Sequence, residues 1–232
     1  TRYSSSAASD VYKRQRLWFC GVPGSRLSGV SNFICRSVKG FNVEDRTENR
    51  AFFHQDQKMD MFSGHHGHYY GQTEGTEQFR KLSDEAPNWL IDQIDRLYQD
   101  HSTTKLLKSH VWARHKNLDY IYENFPGDVI YLVYREPYKS VRWWHTVMKF
   151  DDDHWPDYRK IYDPETFEKH VIDESVYLTD FAIRHNLVWE NVNGPSHERI
   201  FGKDNVTMDV KNNLIKHHDI SVLAVTCGGK QL

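Results

Sequence analysis

Three short stretches carry side chains suited to handling a transferable, negatively charged group. The first is Pro23-Gly24-Ser25-Arg26-Leu27-Ser28, which follows an apolar run and leads into Leu27, Val30, Ile34 and Val38 at helical spacing. A glycine turn feeding a helix start presents backbone N–H groups and the positive end of the helix dipole, where phosphate or sulfate sits well. Arg26 and Ser28 add donors, although an ordinary strand–helix turn has the same outline. The second stretch is Lys108-Ser109-His110. On a strand, Lys108 and His110 project to one face, a cation beside a base whose ordinary pKa lies near neutrality. Such a pair fits proton removal while negative charge builds on a leaving group; a structural histidine is the plainer alternative. The third is Arg135-Glu136-Pro137, whose guanidinium offers a forked donor set for phosphate, or a salt bridge to Glu136 or a nearby aspartate.

Two further stretches invite a metal reading. Gly64-His65-His66-Gly67-His68-Tyr69-Tyr70-Gly71 concentrates histidines, but it lacks the HExxH spacing and any cysteine partner. Its glycines suit a loop that faces substrate through His66, His68 and Tyr70. Asp151-Asp152-Asp153-His154-Trp155 reads as a solvated turn. No metal is expected.

The elements that must position these groups follow from periodicity and from glycine and proline stops. Residues 16–22 read as a buried strand, 26–39 as a helix and 40–85 as a long irregular region. Helices are expected over 87–99, 118–125, 138–149 and 164–185, the last with Asp163 as N-cap and Pro164 in first position. Strands are expected over 104–111 and 128–134, and more weakly over 205–210 and 220–226. DVIYLVY, unbroken in its apolar character, reads as a central strand covered on both faces. Strands alternating with helices predict an α/β fold around a mainly parallel sheet flanked by helices. In such sheets ligands bind beyond the carboxyl ends of the strands, and all three chemical stretches fall at predicted strand ends.

Composition sets the outer bounds. The chain has 232 residues, enough for one domain with a sizeable core. With 30 basic and 32 acidic residues, it has no bulk attraction for nucleic acid or an anionic membrane. Cys20, Cys35 and Cys227 are too few and too scattered for a disulfide framework, which points to a reducing, cytoplasmic setting. No apolar run approaches the ~18 residues of a membrane span. Residues 1–15, polar and without periodicity, read as a non-native or disordered leader. That leaves a single domain over 16–226 and a tail over 227–232.

Together, VPGSRLS, LLKSH and VIYLVYREP resemble the pattern of sulfotransferases that use 3′-phosphoadenosine-5′-phosphosulfate, over about residues 16–150. The resemblance implies a three-layer, P-loop-like fold. It implies that Pro23 through Ser28 hold the 5′-phosphosulfate, that Lys108 stabilises the transferring group and that His110 deprotonates the acceptor. It implies further that Arg135, with Ser140, grips the 3′-phosphate, and that adenosine 3′,5′-bisphosphate is the product. This chain has Gly24 where many members carry a loop lysine, with Arg26 two positions on. It has Trp143 where a serine is expected eight residues after the arginine, with Ser140 nearer.

The implied partner is a small-molecule, glycan or peptide acceptor bearing a hydroxyl or an amine. Two other readings stand beside this one: a non-catalytic nucleotide-binding protein of the same fold, and a small P-loop nucleotide or metabolite kinase. The kinase reading lacks GxxxxGK[ST] and a clear acidic strand for Mg²⁺.

Overall fold

The computed structural model describes residues 16–27, 29–31, 34, 38–39, 68–69, 105–109, 117–148, 164–193, 196–206 and 219–229. For 68–69 and 105–109 it gives backbone register. The predicted helix at 87–99 and the DDDHW stretch lie outside these residues.

The apolar run RLWFCG forms β1 (Arg16–Gly21), and helical residues 27, 29–31 and 34 follow its glycine turn. Next come β2 (His68–Tyr69), β3 (Lys105–Ser109), α1 (Asn117–Asn124) and β4 (Val129–Arg135). Pro137 opens α2 (Pro137–Trp143), which runs into a π-helical stretch, Trp144–Met148. The chain continues through α3 (Pro164–Arg184), β5 (Glu190–Asn191), α4 (Ser196–Phe201), a 3₁₀ turn (Lys203–Asn205) and β6 (Ile220–Thr226).

These strands build one open, mixed sheet in the order β2-β3-β1-β4-β6-β5. Its four principal strands are β3, β1, β4 and β6, and a two-residue strand closes each edge. β1 pairs in parallel with both β3 and β4, whereas β6 runs antiparallel to β4. β4 is central, as its apolar run predicts, and its first five residues are buried.

Each face of the sheet carries its own core. On one, Trp18, Cys20, Ile130 and Leu132 pack with Leu118 and Ile121 of α1 and with Phe167, Val171 and Leu178 of α3. On the other, Phe19, Tyr131 and Val133 pack with Leu27, Val30, Ile34 and, from α4, Phe201. Phe19 and Tyr131 are register partners, and their rings stack at 4.7 Å. Val/Leu/Ile/Phe side chains buried this way each contribute about 1.5–3 kcal/mol.

Several elements differ from expectation. The 138–149 helix divides into α2 and the π-helical stretch. Of the weak 205–210 strand, Val206 makes an isolated bridge to Val38, and 207–210 lie outside the described residues. Within the irregular 40–85 region, His68 and Tyr69 pair in parallel with Leu107 and Lys108. Residues 227–229 continue β6 into a packed turn: Cys227 N donates to Asp128 O at 2.7 Å, and Tyr122 Oη donates to Gly229 O at 3.0 Å. Cys20 and Cys227 are buried, free thiols. Among the described residues no helix is long and apolar enough to cross a membrane.

At the end of the sheet where β4 begins, buried Asp128 accepts hydrogen bonds from Arg16 Nε at 2.7 Å and Trp18 Nε1 at 2.8 Å. Burial raises its pKa above the usual carboxylate value, and the Arg16 and Trp18 contacts oppose that rise without cancelling it. The folded state therefore holds this proton more tightly than the unfolded chain does. The Asp128 contribution to stability falls as pH rises from the ordinary carboxylate value through the folded one. Asp128→Ala is expected to cost about 2–4 kcal/mol, because it strips both bonds at once from a buried indole and a half-buried guanidinium. Urea midpoints of the two proteins at pH 7 check this; equal midpoints would show the cluster to be dispensable.

Candidate functional site

Parallel pairing brings the ends of β1, β3 and β4 to one edge of the sheet. Cys20 is level with Ser109 and Gly21 with Val133, while Arg135 lies two residues further along β4. Because β6 is antiparallel, it contributes its beginning to this edge: Ile220 pairs with Arg135, and Asp219 precedes it.

The turn after β1 is tightly built. A Cβ on Gly21 would lie 2.7 Å from Ser25 Oγ and 2.8 Å from Val133 O, so only glycine lets the strand end approach both. Ser25 N donates to Val22 O at 3.1 Å. Gly24 has φ +82°, and its Cα faces α2: a Cβ there would lie 2.7 Å from the Ser140 carbonyl carbon and 2.8 Å from Trp144 Cδ1. Arg26 also has positive φ, 68°, and its carbonyl accepts the Val30 N–H at 3.0 Å, starting the helix. Holding an arginine in that backbone region costs of order 1–3 kcal/mol, and such strain clusters at functional sites.

Four charged side chains meet around this turn. Arg135 Nε donates to Asp219 Oδ2 at 2.8 Å, and Nη1 donates to Gly24 O at 3.4 Å. Lys139 Nζ lies 4.0 Å from the same Asp219 oxygen. The Arg26 guanidinium lies 5.5 Å from the Trp143 ring centroid. Burial lowers the Arg26 pKa, neighbouring Arg135 lowers it further, and Asp219 partly offsets both. Burial alone would raise the Asp219 carboxyl, but the Arg135 hydrogen bond and charge outweigh it, and the net pKa is depressed. Two guanidiniums and an ammonium thus face one carboxylate. Glu136, the next residue along the chain, is turned to cap α2, its oxygens accepting from Tyr138 N and Lys139 N. Cations outnumber carboxylates among these groups.

Among the sequence-predicted residues, Pro23, Gly24, Ser25, Arg26, Leu27, Arg135 and Ser140 come together here. The Leu27 side chain belongs to the core, which leaves its backbone for a ligand. Ser25 and Ser140 are fully buried, and their hydroxyls have no hydrogen-bond partner among the described residues. Lys108 holds the register position between Phe19 and Tyr69, one residue from the end of β3. His68 lies on the edge strand beside Leu107. Ser28, His66, Tyr70 and His110 lie outside the described residues. Sequence reasoning missed Asp219, Lys139 and Trp143 as site residues. The available signal for Asp219 was its place immediately before the ISVLAVT run.

The class these features define is a mixed α/β protein, with an open sheet and a cationic glycine turn at the ends of its parallel strands. No family model, no curated protein and no solved structure matches the chain.

Proposed function

We propose that this chain is a sulfotransferase that uses 3′-phosphoadenosine-5′-phosphosulfate, with the covered sheet serving as a three-layer, P-loop-like scaffold. The observation that carries the proposal is the meeting of the Gly24–Arg26 turn with Arg135 at one cationic edge, where β3 also ends. Small residues, positive backbone φ and two guanidiniums fit a nucleotide bearing anionic groups at both its 5′ and 3′ positions.

In this reading the turn and Arg26 hold the 5′ end, and Arg135 holds the 3′-phosphate. The nucleotide supplies an activated sulfuryl group. His110 takes the proton of the acceptor hydroxyl or amine as that atom attacks sulfur, Lys108 stabilises the transferring group, and adenosine 3′,5′-bisphosphate leaves. The acceptor is a small molecule, a glycan or a peptide.

Calorimetry with nucleotides tests the proposal without needing the acceptor. Adenosine 3′,5′-bisphosphate is expected to bind more tightly than AMP by about 1.5–3 kcal/mol, the worth of one charge-assisted contact. Equal affinities would remove the sulfotransferase reading, and Mg²⁺-dependent ATP turnover would replace it with the kinase one.

A further inference from the structure

We infer that Asp219 is a built-in competitor for the Arg135 fork, and that it restricts this edge to doubly charged phosphate monoesters. The inference rests on the proposed role of Arg135 as a phosphate ligand. A guanidinium has two forked edges, one formed by Nε with Nη2 and the other by Nη1 with Nη2. Each is half taken, Nε by the Asp219 carboxylate and Nη1 by the Gly24 carbonyl. Nη2 has no partner among the described residues.

The two occupants differ in freedom. The Gly24 carbonyl is fixed, because its residue is pressed against Ser140 and Trp144. Asp219 stands in a turn before β6 and keeps a partly exposed carboxylate. Lys139 lies 4.0 Å away, ready to take that carboxylate once Arg135 releases it. The side-on edge therefore opens by passing Asp219 from Arg135 to Lys139. A monoanion offers Arg135 no more charge than the carboxylate already there, so it gains nothing by the exchange. A phosphate monoester, carrying close to two charges at neutral pH, gains on it. A terminal 3′-phosphate has this charge and a diester linkage does not.

The test follows the Arg135 Nε–H signal by NMR, at pH 7.5, in the intact protein and in Asp219→Asn, with methyl phosphate and dimethyl phosphate as probes. The intact protein is expected to prefer the monoester by about tenfold or more. Asp219→Asn is expected to bind both probes about tenfold more tightly and to keep the monoester preference, because the cost of displacing the carboxylate is common to both. Arg135→Gln, followed through the phosphorus signals of the probes themselves, should abolish binding of both. Weaker monoester binding in Asp219→Asn would make Asp219 a positioning residue for Arg135 and overturn the inference. So would unchanged affinities for both probes, or no binding to either protein. Melting curves recorded alongside confirm folding, and Asp219→Ser serves if the asparagine variant is unstable. A nucleotide arm separates the two readings. If the probes behave as expected but adenosine 3′,5′-bisphosphate binds no better than AMP, the Asp219 inference stands and the sulfotransferase proposal falls. If the bisphosphate is preferred yet Asp219→Asn changes nothing, the reverse holds.

Discussion

Under the proposed function, His110→Ala is expected to slow sulfuryl transfer by about 10²–10⁴-fold, the usual contribution of a positioned general base. Affinity for adenosine 3′,5′-bisphosphate should change little. β3 ends at Ser109, level with Cys20, at the edge where Gly21 and Arg135 stand. The turn and Arg135, which carry the nucleotide in the proposed function, are untouched by the change. His110→Asn keeps some size and hydrogen bonding but cannot take up a proton near neutral pH, and it should be nearly as slow. Transfer rate, nucleotide affinity and melting temperature measured on one preparation decide the matter. Unchanged transfer with a lowered melting temperature would give His110 a structural role and move the search for the base to His66, His68 and His145.

The second large effect is structural. Gly24→Ala is expected to destabilise the protein by about 2–5 kcal/mol, combining a left-handed backbone penalty with overpacking. The new methyl group would meet the Ser140 carbonyl, which is fixed in α2, so the clash is with backbone rather than with a side chain that can swing away. At this chain length, that loss lowers the melting temperature by roughly 10 °C. Gly29→Ala is the matched control. It lies in the helical segment after the turn, with nothing within 4 Å of a Cβ, and should stabilise by about 0.5–1 kcal/mol. Thermal scans of the pair should therefore move in opposite directions. A Gly24→Ala protein as stable as its parent would mean that the turn can relax away from α2 and does not hold a fixed shape.

What the sequence made legible was whatever burial writes into consecutive residues. VIYLVY announced β4 because a strand covered on both faces has no polar position to spare. Gly24 announced a turn because positive φ excludes most other residues, and Pro164 announced the start of α3. The two-residue strands β2 and β5 gave no such signal: His68-Tyr69 and Glu190-Asn191 are too short to show a period. The pairing of Asp219 with Arg135 was illegible for a different reason. The two sit 84 positions apart, and an ion pair at that separation leaves no local pattern. The sequence reading offered Arg135 its neighbour Glu136 or a nearby aspartate. Pro137 opens a helix right after Glu136, and that helix takes both of its carboxylate oxygens as caps. Nor did the apolar spacing of 138–149 show where α2 gives way to the wider π-helical turn at Trp144.

The strand order also governs how the chain reaches its fold. β1, the first strand, makes its central contact with β4, and Arg16 waits for Asp128 112 positions later. β4 in turn closes against β6, with Arg135 and Asp219 84 positions apart. Loop closure over such lengths adds only logarithmically to the entropic cost, but distant pairings are slow to find. At ribosomal speeds of about 5–20 residues per second, a newly made β1 spends roughly ten seconds with its apolar edge unpaired before β4 emerges. Over that interval RLWFCG keeps an unpaired apolar strand edge of the kind chaperones cover, and the Arg135–Asp219 pair cannot close until the start of β6 has been made.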